Sequence, residues 1–287
     1  MNSTAMTQSL QDQTILITGA TSGIGRITAR ELARKGAQVV IVGRNPDKTQ
    51  SVASEIQRST GNPRVEMLVG DLSDLSEVRR IAAEFLQRFD RLNVLINNAG
   101  AIFFTHRIST DGFEMTLALN HLSPFLLTNL LQDRLNSSTP ARVITVSSMA
   151  HWAAHVNPDN LNGSRTYWGW RAYSQSKLMN ILFTRELARR VGSGVTANCL
   201  HPGFVATNFG KSNGGIFRPL WSLVELAAIS PEQGAHTSIY LASSPEVTDV
   251  TGQYFVDCQP QRSSLESYND DTGRRLWVTS VNLTGLA

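Results

Sequence analysis

The feature that most constrains this chain is an alternation. Short apolar runs dense in β-branched residues take turns with segments whose apolar residues recur at helical spacing. The strand-like runs are "TILITG" (14–19), "QVVIVG" (38–43), "VEMLVGD" (65–71), "NVLINNAG" (93–100), "RVITVSS" (142–148) and "GVTANCLHPG" (194–203). Between them lie helical patterns. One runs from Ile24 to Lys35 with Ile27, Leu32 and Ala33 in register and Gly36 beyond, and one from Pro46 to about Arg58. A third is capped by Ser73 and reaches Phe89, and two more span 112–135 and 172–191. Strands this apolar are covered on both faces, which predicts a parallel sheet between two helix layers. Right-handed crossovers then make it doubly wound.

At 41% apolar and 17% charged residues, the 287-residue chain has enough core for a globular α/β domain. No composition shift marks a second domain, so residues 13–287 are read as one domain and 1–12 as a flexible segment. The net charge of +3 is spread without a run of five cations, which excludes a nucleic-acid footprint. Cys199 and Cys258 lie far apart without a CxxC arrangement, and two buried thiols of a reducing compartment are expected. The polar start "MNSTAMTQSLQDQ" lacks a basic stretch followed by an apolar one. No window approaches the roughly 18–20 apolar residues of a membrane span, so a soluble, cytoplasmic protein is expected. The stretch 204–230 is rich in glycine and aromatics without a clear period. It follows the last long strand at the carboxyl edge of the sheet, where ligands bind, and reads as a substrate lid or as an idle insertion.

The first strand runs straight into "TGATSGIG", with Gly19, Gly23 and Gly25 spaced GxxxGxG. Glycines let the backbone turn tightly and approach a pyrophosphate, while the next helix offers free N–H groups and its positive dipole end. Between a strand and a helix, this reads as the nucleotide cradle of a Rossmann-type fold, the alternative being a turn that needs glycine for packing. The second strand ends "IVGRNPDK": Arg44 stands where a carboxylate would bind a ribose 2′-hydroxyl, and Lys48 adds charge. Guanidinium suits a 2′-phosphate, so NADP(H) is favoured over NAD(H) unless Arg44 is merely a solvated turn residue.

With these residues in place, the chain resembles the short-chain dehydrogenase/reductase family from about residue 13 to 257. The matching elements are "TGATSGIG" (18–25), "GDL" (70–72), "NNAG" (97–100), Asn120 in "LALNHLSPF", "VSS" (146–148), "YSQSK" (173–177) and "HPGFVAT" (201–207). Within the family, "VSSMAH", "AYSQSKLMNILFTRELARR" and the tail "GQYFVDCQPQRSSLESYNDDTGRRLW" are most similar to the retinol dehydrogenase and retinal reductase branch. The resemblance implies that Gly19, Thr21, Ser22, Gly23, Ile24 and Gly25 line the cofactor's phosphates and ribose, with Arg44 at its 2′-phosphate. It puts Asp71 and Leu72 beside the adenine, and Asn98, Ala99 and Gly100 beside the cofactor at the central sheet. Pro202, Gly203, Val205 and Thr207 fall near the nicotinamide. Asn120, Ser148, Tyr173 and Lys177 match the catalytic tetrad, and Tyr173 and Lys177 also belong to the cofactor site.

Hydride delivery to a carbonyl builds negative charge on its oxygen, and something must protonate it. A phenol of pKa near 10 is a reluctant acid, and a nearby ammonium lowers that value. Lys177, one helical turn from Tyr173, is expected to do this and to bond the nicotinamide ribose. Ser148 donates to the developing oxyanion, and Asn120 holds a water that relays protons to the lysine. An i, i+4 pair on a helix has no such role by spacing alone; here the cradle supplies the context.

The 25 positions from Ser148 to Tyr173 include His151, Trp152, His155, Tyr167, Trp168 and Trp170, aromatics that wall an apolar substrate pocket or cover the sheet end as core. His151 and His155 lack further ligands, so no metal is predicted. The leading expectation is an NADP(H)-dependent oxidoreductase of apolar carbonyls or alcohols, retinal-like aldehydes or steroid-like ketones. Two alternatives stand beside it: an enzyme like light-dependent protochlorophyllide reductase, and a non-catalytic NADP(H) sensor. By analogy, helices 112–135 and 172–191 form a homodimer or homotetramer, unless the C-terminal extension (about 258–287) blocks or replaces that interface. The extension's charges suggest a solvated helix at about 266–277.

Overall fold

In the computed structural model, residues 9–162, 167–203 and 229–286 are described. The strands are β1 (Thr14–Thr18), β2 (Gln38–Gly43), β3 (Val65–Val69), β4 (Val94–Asn97), β5 (Ala141–Val146), β6 (Val195–His201), β7 (Tyr254–Val256) and β8 (Gln259–Gln261). They form one sheet in the order β3-β2-β1-β4-β5-β6-β7-β8. The first seven are parallel, as the apolar runs predict, but β8 returns antiparallel to β7. Its two-residue turn holds Asp257 and Cys258 at φ 47° and 61°, the backbone a tight hairpin demands.

Successive strand residues feed opposite layers. Leu16, Val40, Leu95 and Val143 face one core, packed by α3 (Leu75–Arg88) and α7 (Gly169–Ala188). Ile15, Ile17, Val39, Ile41, Ile96 and Ile144 face the other, under α1 (Gly23–Arg34) and α2 (Pro46–Thr60). Each such residue contributes about 1.5–3 kcal/mol by leaving water.

The sequence expectations need correction in several places. The cap of α3 is Asp74, whose carboxylate accepts from the N–H groups of Ser76 and Glu77, while the Ser73 hydroxyl is taken by Asp71. The helix expected over 112–135 is broken into α4 (Met115–Leu117), a π-helical turn (Ala118–Leu122), α5 (Ser123–Leu130) and α6 (Gln132–Ser137). The segment read as flexible is docked from Leu10 onward: Leu10 is buried and its N–H donates to the Lys35 carbonyl. Cys199 is buried, but Cys258 is only partly so.

After α8 (Pro231–Ser243) and the β7–β8 hairpin, the tail forms a 3-10 turn (Leu265–Tyr268) and then α9 (Asp270–Thr284). That helix is not merely solvated. Leu276 and Ser280 are buried, and Trp277 lies 4.9 Å from the Phe125 ring and 6.0 Å from that of Phe183 on α7. Arg190 sits over Trp277, and Arg189 pairs with Asp270. The α7 surface assigned to an oligomer interface by analogy is therefore partly covered by the chain's own tail.

Candidate active site

The loop from β1 to α1 sits where strand order reverses between β1 and β4, the crevice at which doubly wound sheets bind ligands. Gly19 and Gly23 adopt φ of 66° and 52°, open to glycine and strained for other residues. Gly25 is there for a different reason: a Cβ would come within 2.5 Å of both Asn98 Nδ2 and the Gly19 carbonyl oxygen. Asn98 explains this crowding, because its Nδ2 donates to the carbonyls of Thr18 and Gly19 at 2.8 and 3.1 Å. The Thr18 hydroxyl in turn accepts from the N–H groups of Asn98 and Ala99, both at 3.0 Å. Ser22 caps α1 with no side-chain bond, and the helix carries no acidic residue in its first turn. Its N-terminal N–H groups and dipole thus face outward unopposed.

Arg44, just past β2, is 77% exposed on its side chain and has Nη1 3.5 Å from Asp71 Oδ2. The other Asp71 oxygen accepts from Ser73 N–H and hydroxyl at 3.0 and 2.7 Å. Leu72 is buried beside it. Gly43, which the sequence reading passed over, allows the two phosphate-side loops to touch: a Cβ there would meet Thr49 Oγ1 at 2.3 Å and Thr21 Cγ2 at 2.4 Å.

The four tetrad residues come from three places. Asn120 lies in the π-helical turn, Ser148 follows β5, and Tyr173 and Lys177 lie on α7. Asn120 Oδ1 accepts from Ala101 N–H, and its Nδ2 donates to the Ala101 carbonyl and to Ser176 Oγ, at 2.9, 2.9 and 3.0 Å. It thus clamps the strand-end loop against α7. Gly100 fits beneath this clamp, with its Cβ position 3.2 Å from Asn120 Oδ1 and 3.3 Å from Lys177 Nζ. Lys177 Nζ donates to the Val146 carbonyl at 3.0 Å and lies 5.5 Å from the Tyr173 ring centre. The Ser148 hydroxyl accepts from Ala150 N–H at 3.2 Å and hydrogen-bonds Tyr173.

The expected lowering of the tyrosine pKa is not what this geometry gives. Burial pushes Tyr173 up to about 12, with the Ser148 hydrogen bond acting the other way. Burial alone pushes Lys177 down to about 8. Desolvation disfavours both charged forms. The protein by itself therefore keeps the phenolic proton on Tyr173 at neutral pH.

Pro202 and Gly203 follow β6. Gly203 has φ 85°, and a Cβ there would strike Ile229 Cδ1 at 2.4 Å. Val205, Thr207 and nearly all of the 204–230 lid lie outside the described residues. The aromatics of 149–172 differ in exposure. Trp152, Trp168 and Trp170 are 56%, 65% and 42% exposed, and Trp170 lies 5.9 Å from the Tyr173 ring. Tyr167 instead donates to the Phe103 carbonyl at 2.6 Å, and His151 is fully buried. A 530 Å³ cleft lies along α7 between Leu117, Tyr167, Arg171, Gln175 and Met179, but none of the tetrad lines it. Three further histidines stand beside the site: His121 next to Asn120, His151 after Ser148, and His201 before Pro202. All three are buried. His151 was among the aromatics singled out in the sequence, whereas His121 and His201 lie inside matched motifs that gave them no role.

The profile of the short chain dehydrogenase family matches residues 13–214. Human retinol dehydrogenase 13 is 43% identical over 282 residues, covering 96% of this chain and 85% of that protein. Human retinol dehydrogenase 14 is 44% identical over 294 residues, covering 96% and 88%. Among solved structures, an uncharacterized protein from Mycobacterium Paratuberculosis is similar with a TM-score of 0.79 at 37% identity, covering 98% of this chain and 96% of that one. The Pseudomonas aeruginosa RhlG/NADP active-site complex has a TM-score of 0.69 at 25% identity, covering 87% and 96%.

Proposed function

Because this chain belongs to the short-chain dehydrogenase family, as an oxidoreductase of CH–OH/C=O groups similar to retinol dehydrogenases, we propose that it reduces apolar carbonyls with NADPH. Retinal-like aldehydes are the first candidates and steroid-like ketones the second. The observation that carries this reading is the grouping of Asn120 and Lys177 at Gly100 with Tyr173 beside Lys177 and Ser148 hydrogen-bonded to Tyr173, next to a glycine cradle with an exposed arginine at its edge.

The residues fit a phosphorylated dinucleotide. The α1 N-terminus presents unopposed N–H groups to a pyrophosphate. Arg44 offers a mostly exposed guanidinium to a 2′-phosphate, and Asp71 has one carboxylate oxygen bound to Ser73. The cofactor supplies the hydride. The chain's residues handle the proton and the oxyanion: Tyr173 delivers its phenolic proton to the carbonyl oxygen, and Ser148 donates a hydrogen bond to that oxygen as charge develops. Lys177, fixed on the Val146 carbonyl, holds positive charge near the phenolate left behind. Asn120 keeps the Ala101 loop and α7 in register around it.

The resting protonation state suits reduction. A phenol held near 12 keeps its proton until the substrate oxygen demands it. The test is consumption of NADPH by the purified protein with all-trans-retinal, followed by loss of nicotinamide absorbance, with NADH in parallel. Turnover with NADPH well above NADH supports both the cofactor and the substrate class. Equal use of both removes the role given to Arg44, and no turnover with retinal moves the substrate to steroid, quinone or aryl carbonyls.

A further inference from the structure

We propose that His151 is a positioning residue for the catalytic serine, holding the Ser148–Met149 peptide from behind and thereby aiming the Ser148 hydroxyl at Tyr173. The inference deepens the reading above and rests on its assignment of Ser148.

His151 lies three residues after Ser148 on the 3-10 turn Met149–Ala153, and none of it is exposed. Its Nε2 is 3.1 Å from the backbone nitrogen of Ser264, in the C-terminal extension. A backbone N–H only donates, so Nε2 is the acceptor and the ring's proton sits on Nδ1. That Nδ1–H points at the Ser148 carbonyl oxygen, 2.7 Å away. The tail therefore fixes the tautomer, and the tautomer fixes the bond to the serine, as a second partner orients many functional imidazoles. Tyr254 at 5.0 Å and Trp152 at 5.3 Å between ring centres hold the ring.

The other side of the same peptide is held too. Met149 N–H donates to Nδ1 of buried His201 at 3.4 Å. With its carbonyl on one imidazole and its N–H facing another, the peptide plane after Ser148 has little freedom to rotate. Ser147 is locked as well: its N–H donates to the Leu200 carbonyl and its hydroxyl to the Lys177 carbonyl, both at 2.7 Å. The Ser148 side chain hydrogen-bonds Tyr173. A hydroxyl set by so many backbone restraints is preorganised, and a misplacement near 1 Å costs about a hundredfold in rate.

Two substitutions separate the two bonds of the ring. His151→Asn puts an amide near the Nδ1 position and keeps a donor for the Ser148 carbonyl, but it does not reach Ser264. His151→Gln reaches Ser264 with its amide oxygen and gives up the bond to Ser148. Both variants are assayed with NADPH and whichever carbonyl the wild type reduces fastest among all-trans-retinal, an aryl aldehyde and a quinone, so that failure of retinal as substrate leaves the comparison intact. In the Gln variant kcat should fall about tenfold to a hundredfold with KM for NADPH unchanged. In the Asn variant kcat should stay within about threefold of wild type, while amide hydrogen exchange at 262–268 speeds up.

Equal losses of kcat in the two variants, or losses that follow their melting temperatures, overturn the proposal. A substrate-free check is the 15N chemical-shift pattern of the His151 ring. The neutral tautomer protonated on Nδ1 is expected, and a proton on Nε2 overturns the proposal whatever the substrate proves to be.

Discussion

Acidification should destabilise this protein before its carboxylates alone would, and His121 gives a way to isolate the effect. His121 is fully buried in the π-helical turn, with Nε2 2.9 Å from Ser280 Oγ on α9 and aromatic neighbours in Phe125 and Phe183. Burial pushes its pKa from 6.5 to about 4, and the nearby Asn180 amide offsets this only in part. Burial, with His151 adding repulsion, pushes His201 to about 4 as well. A histidine whose pKa falls on folding leaves its full stability contribution in place above about pH 6.5. That contribution is lost as pH falls toward 4, because the unfolded chain takes up a proton that the folded one refuses. Each tenfold step in proton concentration between these limits costs about 1.4 kcal/mol. At about pH 4.5 each of the two histidines then costs ~2.5 kcal/mol, or ~5 kcal/mol for the pair, a large part of the 5–15 kcal/mol that domains typically have. The assay is urea unfolding followed by circular dichroism, in steps from about pH 7 to about pH 4.5, for the wild type and His121→Gln. The variant starts less stable at neutral pH but should lose ~2.5 kcal/mol less over the range. Parallel losses in the two proteins would refute the reasoning, since carboxylate titration is common to both.

Three further outcomes test the site. Tyr173→Phe should lower kcat by about 10²–10⁴-fold while leaving the Kd for NADPH, measured by fluorescence titration, near that of the wild type. Gly25→Ala drives a methyl into Asn98 Nδ2 and the Gly19 carbonyl, so NADPH affinity should drop at least tenfold with a stability loss of about 1–3 kcal/mol. Equal affinity there would show that the two loops move apart freely. Arg44→Ala should raise KM for NADPH about tenfold or more and leave KM for NADH unchanged; a parallel rise for both cofactors would place the arginine's effect on the loop and not on the 2′-phosphate.

What the sequence made legible follows from the physics of each element. Strands β1, β2, β4, β5 and β6 showed as apolar runs because helices cover both sheet faces there and almost every residue is buried, whereas in the edge strand β3 only Val65 and Leu68 are fully buried. The strands β7 and β8 are three residues long, and their Asp257–Cys258 turn carries no glycine to announce a hairpin. Ser73, the cap expected from the sequence, has its hydroxyl on Asp71, a contact that local spacing does not announce, and Asp74 caps the helix. The break in the 112–135 helix has no periodic signature; it comes with the Asn120 amide bonding the Ala101 backbone, a long-range contact. The tetrad and cradle residues could be located as a set because motif spacing survives without knowledge of contacts, and the structure sets Asn120 and Lys177 beside Gly100 and Ser148 on Tyr173. The Arg44–Asp71 pair and the upward shift of Tyr173 depend on burial and on partners distant in sequence, which no local pattern encodes.

The tail was the least legible part, and it changes how the site is understood. Its charges at Asp270, Asp271, Arg274 and Arg275 mark only the outer side of α9; Gly273, Leu276, Ser280 and Thr284 are buried, and they recur every three to four residues. That stripe meets α7, the helix that carries Tyr173 and Lys177 toward the sheet while Phe183 packs against Trp277. Two polar ties reinforce the apolar seam. Ser280 bonds His121, the neighbour of Asn120, and the Ser264 N–H bonds His151, whose other nitrogen holds the Ser148 carbonyl. Buried polar contacts add little net stability, but they are costly to break once desolvated, so they fix register more than they add strength. A tail attached only by apolar packing would tolerate sliding along α7. With serines at both ends bonded to histidines beside two tetrad residues, a slide of the tail disturbs Asn120 and Ser148 together. The C-terminal extension is in this sense part of the scaffold that aligns the site.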